Sequence, residues 1–254
     1  MPSIADQSIL IIGGSSGIGL GVAHLALAQK SRVFISSSNQ SRISGAIESL
    51  RKLYPDGAIE GFPCDLKSAD VESNLEKLLI EVITANNGEL LNHVVFTAAD
   101  SLPIKPLSEV DLYFIRSAGQ IRFMAPLLLG KLAPRFIKPS YESSITLTSG
   151  TVARKPVLQW PVISGYMSGL EGVTKSLALE LKPIRVNLVM PGAVDTELWG
   201  KGETRRATVE MMKSMTFQGR VALADEIAEA YIYIMRDTNV NGATLNTDGG
   251  EALH

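Results

Sequence analysis

Short apolar runs alternate along the chain with longer segments in which apolar residues recur at helical spacing. The short runs predict strands at Ile9–Ile12, Arg32–Ser36, Ala58–Pro63, His93–Phe96, Ser144–Thr148, Ile184–Val189 and Ala243–Asn246. The helical patterns between them span Gly17–Gln29, Gln40–Leu53, Ser68–Ala85, Leu107–Leu132, Gly165–Leu181 and Ala224–Met235. Because parallel strands need crossover connections, this alternation predicts an α/β fold with a parallel sheet covered by helices on both faces.

Composition narrows the class of protein. No linker, low-complexity tract or repeat divides residues 1–254, so a single doubly wound domain is the economical interpretation. Apolar residues make up 45% of the chain and the net charge is −2, which predicts neither a nucleic-acid partner nor attraction to an anionic membrane. The single cysteine, Cys64, excludes an internal disulfide. No signal peptide or membrane-length apolar stretch is recognisable, so a cytoplasmic location is expected.

A glycine-rich segment follows the first predicted strand. Gly13, Gly17 and Gly19 have the spacing G-x-x-x-G-x-G between that strand and the next helix. Unpaired backbone N–H groups and the positive end of the helix dipole would face one point there, which suits the pyrophosphate of a dinucleotide. Glycines at strand ends also occur for steric reasons, so this motif alone leaves both interpretations open.

Six short motifs come after predicted strands in chain order. They are Gly13–Gly19, Asp65–Leu66, Thr97–Asp100, Leu147–Ser149, Arg185–Thr196 and Asn246–Gly250. In this order and at these intervals they resemble the motifs of short-chain dehydrogenases/reductases over nearly the whole chain. The resemblance implies a Rossmann-type fold and hydride transfer with a nicotinamide dinucleotide.

The resemblance also implies which residues contact the cofactor. Asp65 would accept a hydrogen bond from the adenine amino group, although a solvated turn residue or helix cap is an alternative for it. Thr97 stands where the family usually has Asn, and its hydroxyl could replace the bond that joins neighbouring strands. The implied contacts are Gly13, Ser15, Ser16, Gly17, Ile18, Gly19, Asp65, Leu66, Ala98 and Ala99, with Pro191, Gly192, Val194 and Thr196 near the nicotinamide.

The end of the second predicted strand bears on the choice of dinucleotide. An NAD enzyme needs an acid there for the ribose hydroxyls, whereas an NADP enzyme needs donors for the 2′-phosphate. The segment from Phe34 to Arg42 has no carboxylate and offers Ser37, Ser38, Asn39 and Arg42. It therefore favours NADP(H). A serine-rich loop that caps the next helix is the alternative, and both can hold together.

The catalytic positions depart from the family pattern. Aligning Leu170–Gly172 with the family puts Ile163 at the usual Tyr position and Met167 at the usual Lys position. Ser117 stands at the usual Asn position. Ser149 keeps the hydroxyl that ordinarily polarises a substrate carbonyl, although it could instead only cap the end of its strand.

A site without these groups limits the reaction. Loss of a proton donor commonly costs a factor of about 10² to 10⁴ in carbonyl reduction, whereas an iminium ion is neutralised by hydride and needs no acid at the reacting atom. The chain also resembles divergent members of fungal alkaloid pathways that lack Tyr and Lys, although the segment Lys155–Pro161 has no Asp where they carry one. The sequence therefore favours NADPH-dependent iminium reduction. The alternatives are a non-redox protein that guides a Diels-Alder-like cyclisation or isomerisation, and an inactive binding subunit.

Apolar and aromatic residues after the strand ends predict the substrate wall. Trp160, Tyr166 and Trp199 suit a large, apolar organic molecule, with a substrate loop at about 198–218 and a hinge at Gly200–Thr204. Methionines at helical spacing, as in this loop, are more often core residues than pocket residues. No sequence neighbours suggest a metal site. By the resemblance, the long middle helix and the next one would pair in a homodimer or homotetramer.

Overall fold

A seven-stranded parallel sheet forms the centre of the protein in the computed structural model, which describes residues 2–200 and 202–253. Its order is β3-β2-β1-β4-β5-β6-β9. These strands are β1 (Ser8–Ile12), β2 (Arg32–Ser37), β3 (Ile59–Pro63), β4 (His93–Phe96), β5 (Ser144–Thr148), β6 (Arg185–Pro191) and β9 (Thr244–Thr247). A separate short parallel pair is formed by β7 (Val194–Asp195) and β8 (Ala222–Leu223). The order reverses between β1 and β4, and α/β proteins bind ligands at such a switch point.

Helices connect the strands and cover both faces of the sheet. They are α1 (Gly17–Ala28), α2 (Gln40–Leu53), α3 (Val71–Ala85), α4 (Leu112–Gly119), α5 (Ala125–Leu132), α6 (Pro161–Glu180), α7 (Gly202–Lys213) and α8 (Ala224–Arg236).

The core consists of two apolar clusters, and β1 contributes to both. Leu10 and Ile12 belong to one cluster, whereas Ile9 and Ile11 belong to the other. Successive side chains of a strand point to opposite faces, so the clusters lie on opposite sides of the sheet. The prediction of a doubly wound α/β fold is confirmed.

The long middle helix predicted at Leu107–Leu132 is interrupted. A 3₁₀ turn at Leu107–Glu109 precedes α4, and a π-helical segment at Gln120–Met124 separates α4 from α5. Pro126 has no N–H with which to continue the i to i−4 ladder, which accounts for the break beside it. Asp111 begins α4 by accepting a hydrogen bond from the N–H of Phe114 at 2.7 Å.

Two other predicted boundaries also move. α6 begins at Pro161, four residues before the predicted Gly165, because proline is favoured in the first turn of a helix. The segment 198–218, expected to be a loop, contains α7 after a 3₁₀ turn that ends at Trp199. Of the predicted hinge, Lys201 lies outside the described residues, while Gly200 and Gly202 have positive φ angles of 91° and 58°.

Residues 2–200 and 202–253 contain neither a membrane-length apolar helix nor a cluster of metal ligands. None of the helices there is long and apolar enough to cross a membrane. No group of three or more His, Cys, Asp or Glu side chains in the same ranges could hold a metal ion.

Candidate active site

The glycine-rich turn is packed tightly against the end of β4. A Cβ at Gly13 would lie 2.5 Å from the nitrogen of Ala98, and a Cβ at Gly19 would lie 2.3 Å from the carbonyl oxygen of Gly13. Gly13 also has a φ of 98°, a conformation that favours glycine. Thr97 donates from its hydroxyl to the carbonyl of Ile12 at 3.3 Å, so this threonine does join β4 to β1.

The N-terminus of α1 already faces a carboxylate. The N–H of Gly17 donates to Oε2 of Glu197 at 3.1 Å, and a Cβ on Gly17 would lie 3.2 Å from the methyl group of Thr196. Glu197 also lies 3.6 Å from the guanidinium of Arg205, which bonds Asp195 at 2.6 Å. This backbone N–H thus binds an anionic oxygen, as the phosphate site of a dinucleotide requires.

The end of β2 lies next to the glycine turn. The N–H groups of Gly13 and Gly14 both donate to the carbonyl of Ser36, at 2.9 and 3.1 Å. The residues after β2 lie at the N-terminus of α2. The Asn39 side chain caps this helix by accepting from the N–H of Arg42 at 3.1 Å, and the guanidinium of Arg42 donates to the Ser38 hydroxyl at 3.2 Å. The helix-cap interpretation is therefore observed. Arg42 is exposed.

Asp65 follows β3 in an exposed turn. Its Oδ1 accepts from the N–H of Lys67 at 2.9 Å, so the interpretation as a turn residue is also observed. Leu66 is buried, and its carbonyl accepts from the side-chain amide of Gln120 at 3.1 Å. The π-helical segment that contains Gln120 is thereby joined to this turn.

Ile163 and Met167, which the sequence resemblance assigns to the positions of the usual Tyr and Lys, are both buried. Ile163 is 0% exposed and Met167 is 4% exposed, and both belong to the apolar cluster that contains Leu147. Ser149 is 8% exposed and donates from its hydroxyl to the carbonyl of Met167 at 2.9 Å. This contact joins Ser149, after β5, to Met167 of α6.

Two predicted site residues make contacts within or between helices. Ser117 is exposed, and its hydroxyl donates to the carbonyl of Phe114 in its own helix at 3.0 Å. Tyr166 donates to the carbonyl of Ile115 at 3.1 Å, and its ring lies where a Cβ on Gly119 would be 2.3 Å away. Tyr166 therefore packs α6 against α4.

The two tryptophans lie in the connections that follow β5 and β7. Trp160 precedes α6 in the connection after β5, and it packs partly against the same cluster as Ile163. Trp199 ends the 3₁₀ turn after β7, and its backbone N–H donates to the carbonyl of Thr196 at 3.2 Å. Both are partly buried, which suits residues that border an apolar ligand.

An ion pair between a buried arginine and a partly exposed carboxylate after β4 was not predicted. Nε of Arg122 lies 3.4 Å from a carboxylate oxygen of Asp100, and this arginine also donates to the Asp100 backbone carbonyl. Burial lowers the pKa of Arg122, and the Asp100 carboxylate opposes that shift. Lys67 approaches the same carboxylate at 3.6 Å. The acidic residue that stands where the family usually has Gly was the signal for this pair.

A second unpredicted carboxylate lies beyond β6. Oε2 of Glu251 accepts from the N–H of Ala193 at 2.9 Å. Burial raises the pKa of Glu251, while the bond from Ala193 and the charge of Lys155 oppose the shift. Its position directly after the predicted motif Asn246–Gly250 was the only sign in the sequence.

Comparisons with known proteins agree with this geometry. The family model of an SDR-like Rossmann domain matches residues 2–254. The short-chain dehydrogenase/reductase ATR9 of Stachybotrys chlorohalonatus is 43% identical over 100% of both chains. The short-chain dehydrogenase/reductase malC of Malbranchea aurantiaca is 37% identical over 98% of this chain and 96% of its own. The solved structure of the MalC reductase/Diels-Alderase from that organism superposes with a TM-score of 0.91 at 37% identity, covering 99% of this chain and 97% of that one. These matches show that the chain belongs to the short-chain dehydrogenase/reductase family.

Proposed function

We propose that the protein is an NADPH-dependent oxidoreductase of secondary metabolism that transfers hydride to an already activated C=N group of a large apolar molecule. The observation that carries this proposal is the burial of Ile163 and Met167 at the positions of the usual proton donor and its lysine. The relatives from Stachybotrys and Malbranchea support the family-level activity, since both are short-chain dehydrogenases/reductases.

Members of this family usually bind NAD(P)(H), and the residues here fit such a cofactor. The close approach of Gly13 to Ala98 and the anion-binding N–H of Gly17 suit the diphosphate. Ser38 and Arg42 would hold the 2′-phosphate, and Pro191–Thr196 would border the nicotinamide. The bound cofactor would supply the hydride.

The remaining groups determine which acceptor is suitable. Reduction of a ketone creates an alkoxide that must be protonated or stabilised as it forms. An iminium ion is already cationic, and hydride transfer neutralises it without an acid. Positioning beside the nicotinamide then supplies much of the acceleration, for which an apolar wall is sufficient. The pair Ile163 and Met167 therefore favours the iminium acceptor.

The test compares two acceptors of similar shape. The purified protein is incubated with NADPH and either a dihydroisoquinolinium salt or tetralone, and the absorbance of the reduced cofactor is followed. We expect turnover of the iminium salt and a ketone rate lower by a factor of about 10² or more. A ketone rate equal to or above the iminium rate would refute the proposal.

The likeness to the MalC reductase/Diels-Alderase favours a second candidate, a non-redox guide for an intramolecular cyclisation. The segment Lys155–Pro161 lacks a carboxylate, which counts against it. Tight NADPH binding without consumption of NADPH by either acceptor would favour this candidate.

A further inference from the structure

The C-terminal segment folds back over the end of β6. Asp248 shapes this segment, because its carboxylate accepts from the N–H of Gly250 at 3.0 Å and from that of Ala252 at 3.4 Å. The N–H of Glu251 donates to the backbone carbonyl of Asp248 at 3.0 Å. A short 3₁₀ turn, Glu251–Leu253, follows. These hydrogen bonds fix the backbone at Glu251 independently of its side chain.

The Glu251 side chain binds the turn that follows β6. Its Oε2 accepts from the N–H of Ala193 at 2.9 Å, while the N–H of Gly192 donates to the carbonyl of Thr247 at 3.2 Å. A Cβ on Gly192 would lie 2.7 Å from Oε2 of Glu251, so this carboxylate needs a glycine there. Two consecutive N–H groups of the turn are thus held by β9 and the residues after it.

The connection between β5 and α6 meets the same place. Nζ of Lys155 lies 3.4 Å from the backbone carbonyl of Glu251. The hydroxyl of Thr151 donates to the carbonyl of Pro191 at 3.0 Å. Two segments that are distant in sequence therefore meet at Pro191–Val194, and Glu251 provides a carboxylate there. A charge-assisted bond of this kind is stronger than a neutral one.

We infer that Glu251 is a positioning residue for the nicotinamide end of the cofactor, because its carboxylate holds the turn Pro191–Val194 in the conformation that receives the nicotinamide. The inference rests on the proposed function, which places the nicotinamide against this turn. Glu251 acts through the Ala193 N–H and takes no part in proton transfer. The turn follows β6, and β5, β4 and β1 separate β6 from β2, after which the 2′-phosphate residues Ser38 and Arg42 lie.

This separation allows a test with two ligands. NADPH would reach the turn, whereas 2′-phospho-ADP-ribose has the adenine, the diphosphate and the 2′-phosphate but no nicotinamide. Dissociation constants for both ligands are measured by calorimetry on the wild-type chain, Glu251→Ala, Glu251→Gln and the control Glu180→Ala, which alters an exposed glutamate at the end of α6. The glutamine side chain keeps an oxygen that can accept from Ala193.

The expected result is selective. Glu251→Ala should weaken NADPH about tenfold, in line with the loss of one hydrogen bond to a charged group, and Glu251→Gln should stay within about threefold of wild type. The affinity for 2′-phospho-ADP-ribose should be unchanged in every variant. In steady state, the KM for NADPH should rise in Glu251→Ala and be restored in Glu251→Gln.

Two results would overturn the inference without contradicting the proposed function, because the wild-type chain would still bind NADPH. One is equal NADPH affinity in Glu251→Ala and wild type. The other is an equal loss for both ligands in Glu251→Ala, which would make Glu251 a general structural residue. Failure of the wild-type chain to bind either ligand would reject the proposed function as well, and is therefore distinguishable from both.

Discussion

Arg42 provides the most direct test of the cofactor preference. The residue lies in the first turn of α2, is exposed, and donates to Ser38 at 3.2 Å beside the glycine turn. No carboxylate of residues 2–200 and 202–253 lies within salt-bridge distance of it. Replacing Arg42 with Ala should therefore weaken the binding of NADPH, which carries a 2′-phosphate, and leave the binding of NADH nearly unchanged.

The size of the effect follows from the exposure of Arg42. A hydrogen bond to a charged group contributes about 1.5–3 kcal/mol when it is well shielded. Solvent screening at an exposed arginine reduces this to about 1 kcal/mol or slightly more. Since 1.4 kcal/mol corresponds to a factor of ten, the dissociation constant of NADPH should rise by about 5- to 10-fold.

The assay is titration of reduced-nicotinamide fluorescence with NADPH and with NADH at two ionic strengths. Lys52→Ala is the matched control, because it removes the same charge from α2 ten residues further along, about 15 Å away for a helix. At physiological ionic strength charges this far apart are largely screened, so the control should change NADPH affinity by less than about twofold. The Arg42→Ala effect should shrink as salt is added.

Two results would refute this reasoning. If Arg42→Ala and wild type bind NADPH equally well, the arginine serves only its own helix and Ser38. If the wild-type chain binds NADH more tightly than NADPH, the interpretation of the whole β2–α2 connection as a 2′-phosphate site is wrong.

Three further predictions concern charged groups. Asp100→Asn removes the charged partner of Arg122, whose side chain is 8% exposed. The free energy of unfolding in urea should fall by about 2–3 kcal/mol, which is less than for a fully buried pair because Asp100 is 24% exposed. An unchanged unfolding midpoint would contradict this. Glu197→Gln removes a negative charge from the Gly17 N–H, so NADPH and 2′-phospho-ADP-ribose should both bind about threefold more tightly; weaker binding would contradict the anion site. Burial lowers the pKa of His93 from 6.5 to about 3, so between these pH values the unfolded chain binds a proton that the folded chain does not. The free energy of unfolding should therefore fall as the pH drops below about 6.5, by up to about 1.4 kcal/mol per pH unit. Urea unfolding at several pH values checks this, and His93→Asn should lose that part of the slope.

The sheet could be predicted from the sequence because its strands are buried on both sides. Runs such as Ile9–Ile12 have no polar face, and this continuous apolar pattern marks a strand of a covered parallel sheet. The middle helix was predicted incorrectly because helical spacing continues through Pro126, although proline interrupts the hydrogen bonds. The pattern of apolar residues gives the buried face of a helix and does not report breaks in its backbone.

The site could be predicted only in part. The motif residues at the strand ends were recognisable, since their spacing from the strands is local. The contacts of Glu197 with Gly17 and of Glu251 with Ala193 join residues 180 and 58 positions apart. Such contacts depend on how long connections fold over the edge of the sheet, and no periodic pattern encodes that. The sequence shows that these connections carry charged residues, but it does not show which backbone groups those residues contact.

The bond made by Ser149 connects the altered catalytic helix to the choice of acceptor. A serine hydroxyl has one proton to donate, and that of Ser149 is directed to the carbonyl of Met167. To polarise a ketone, Ser149 would have to give up this bond, and the buried side chains of Ile163 and Met167 have no proton to donate in its place. An iminium nitrogen has no lone pair to accept a proton, so its reduction requires no such rearrangement. The contact that makes Ser149 a poor donor to a carbonyl therefore does not hinder the reduction of a cationic acceptor. A ketone would lack both a proton donor and a free serine hydroxyl.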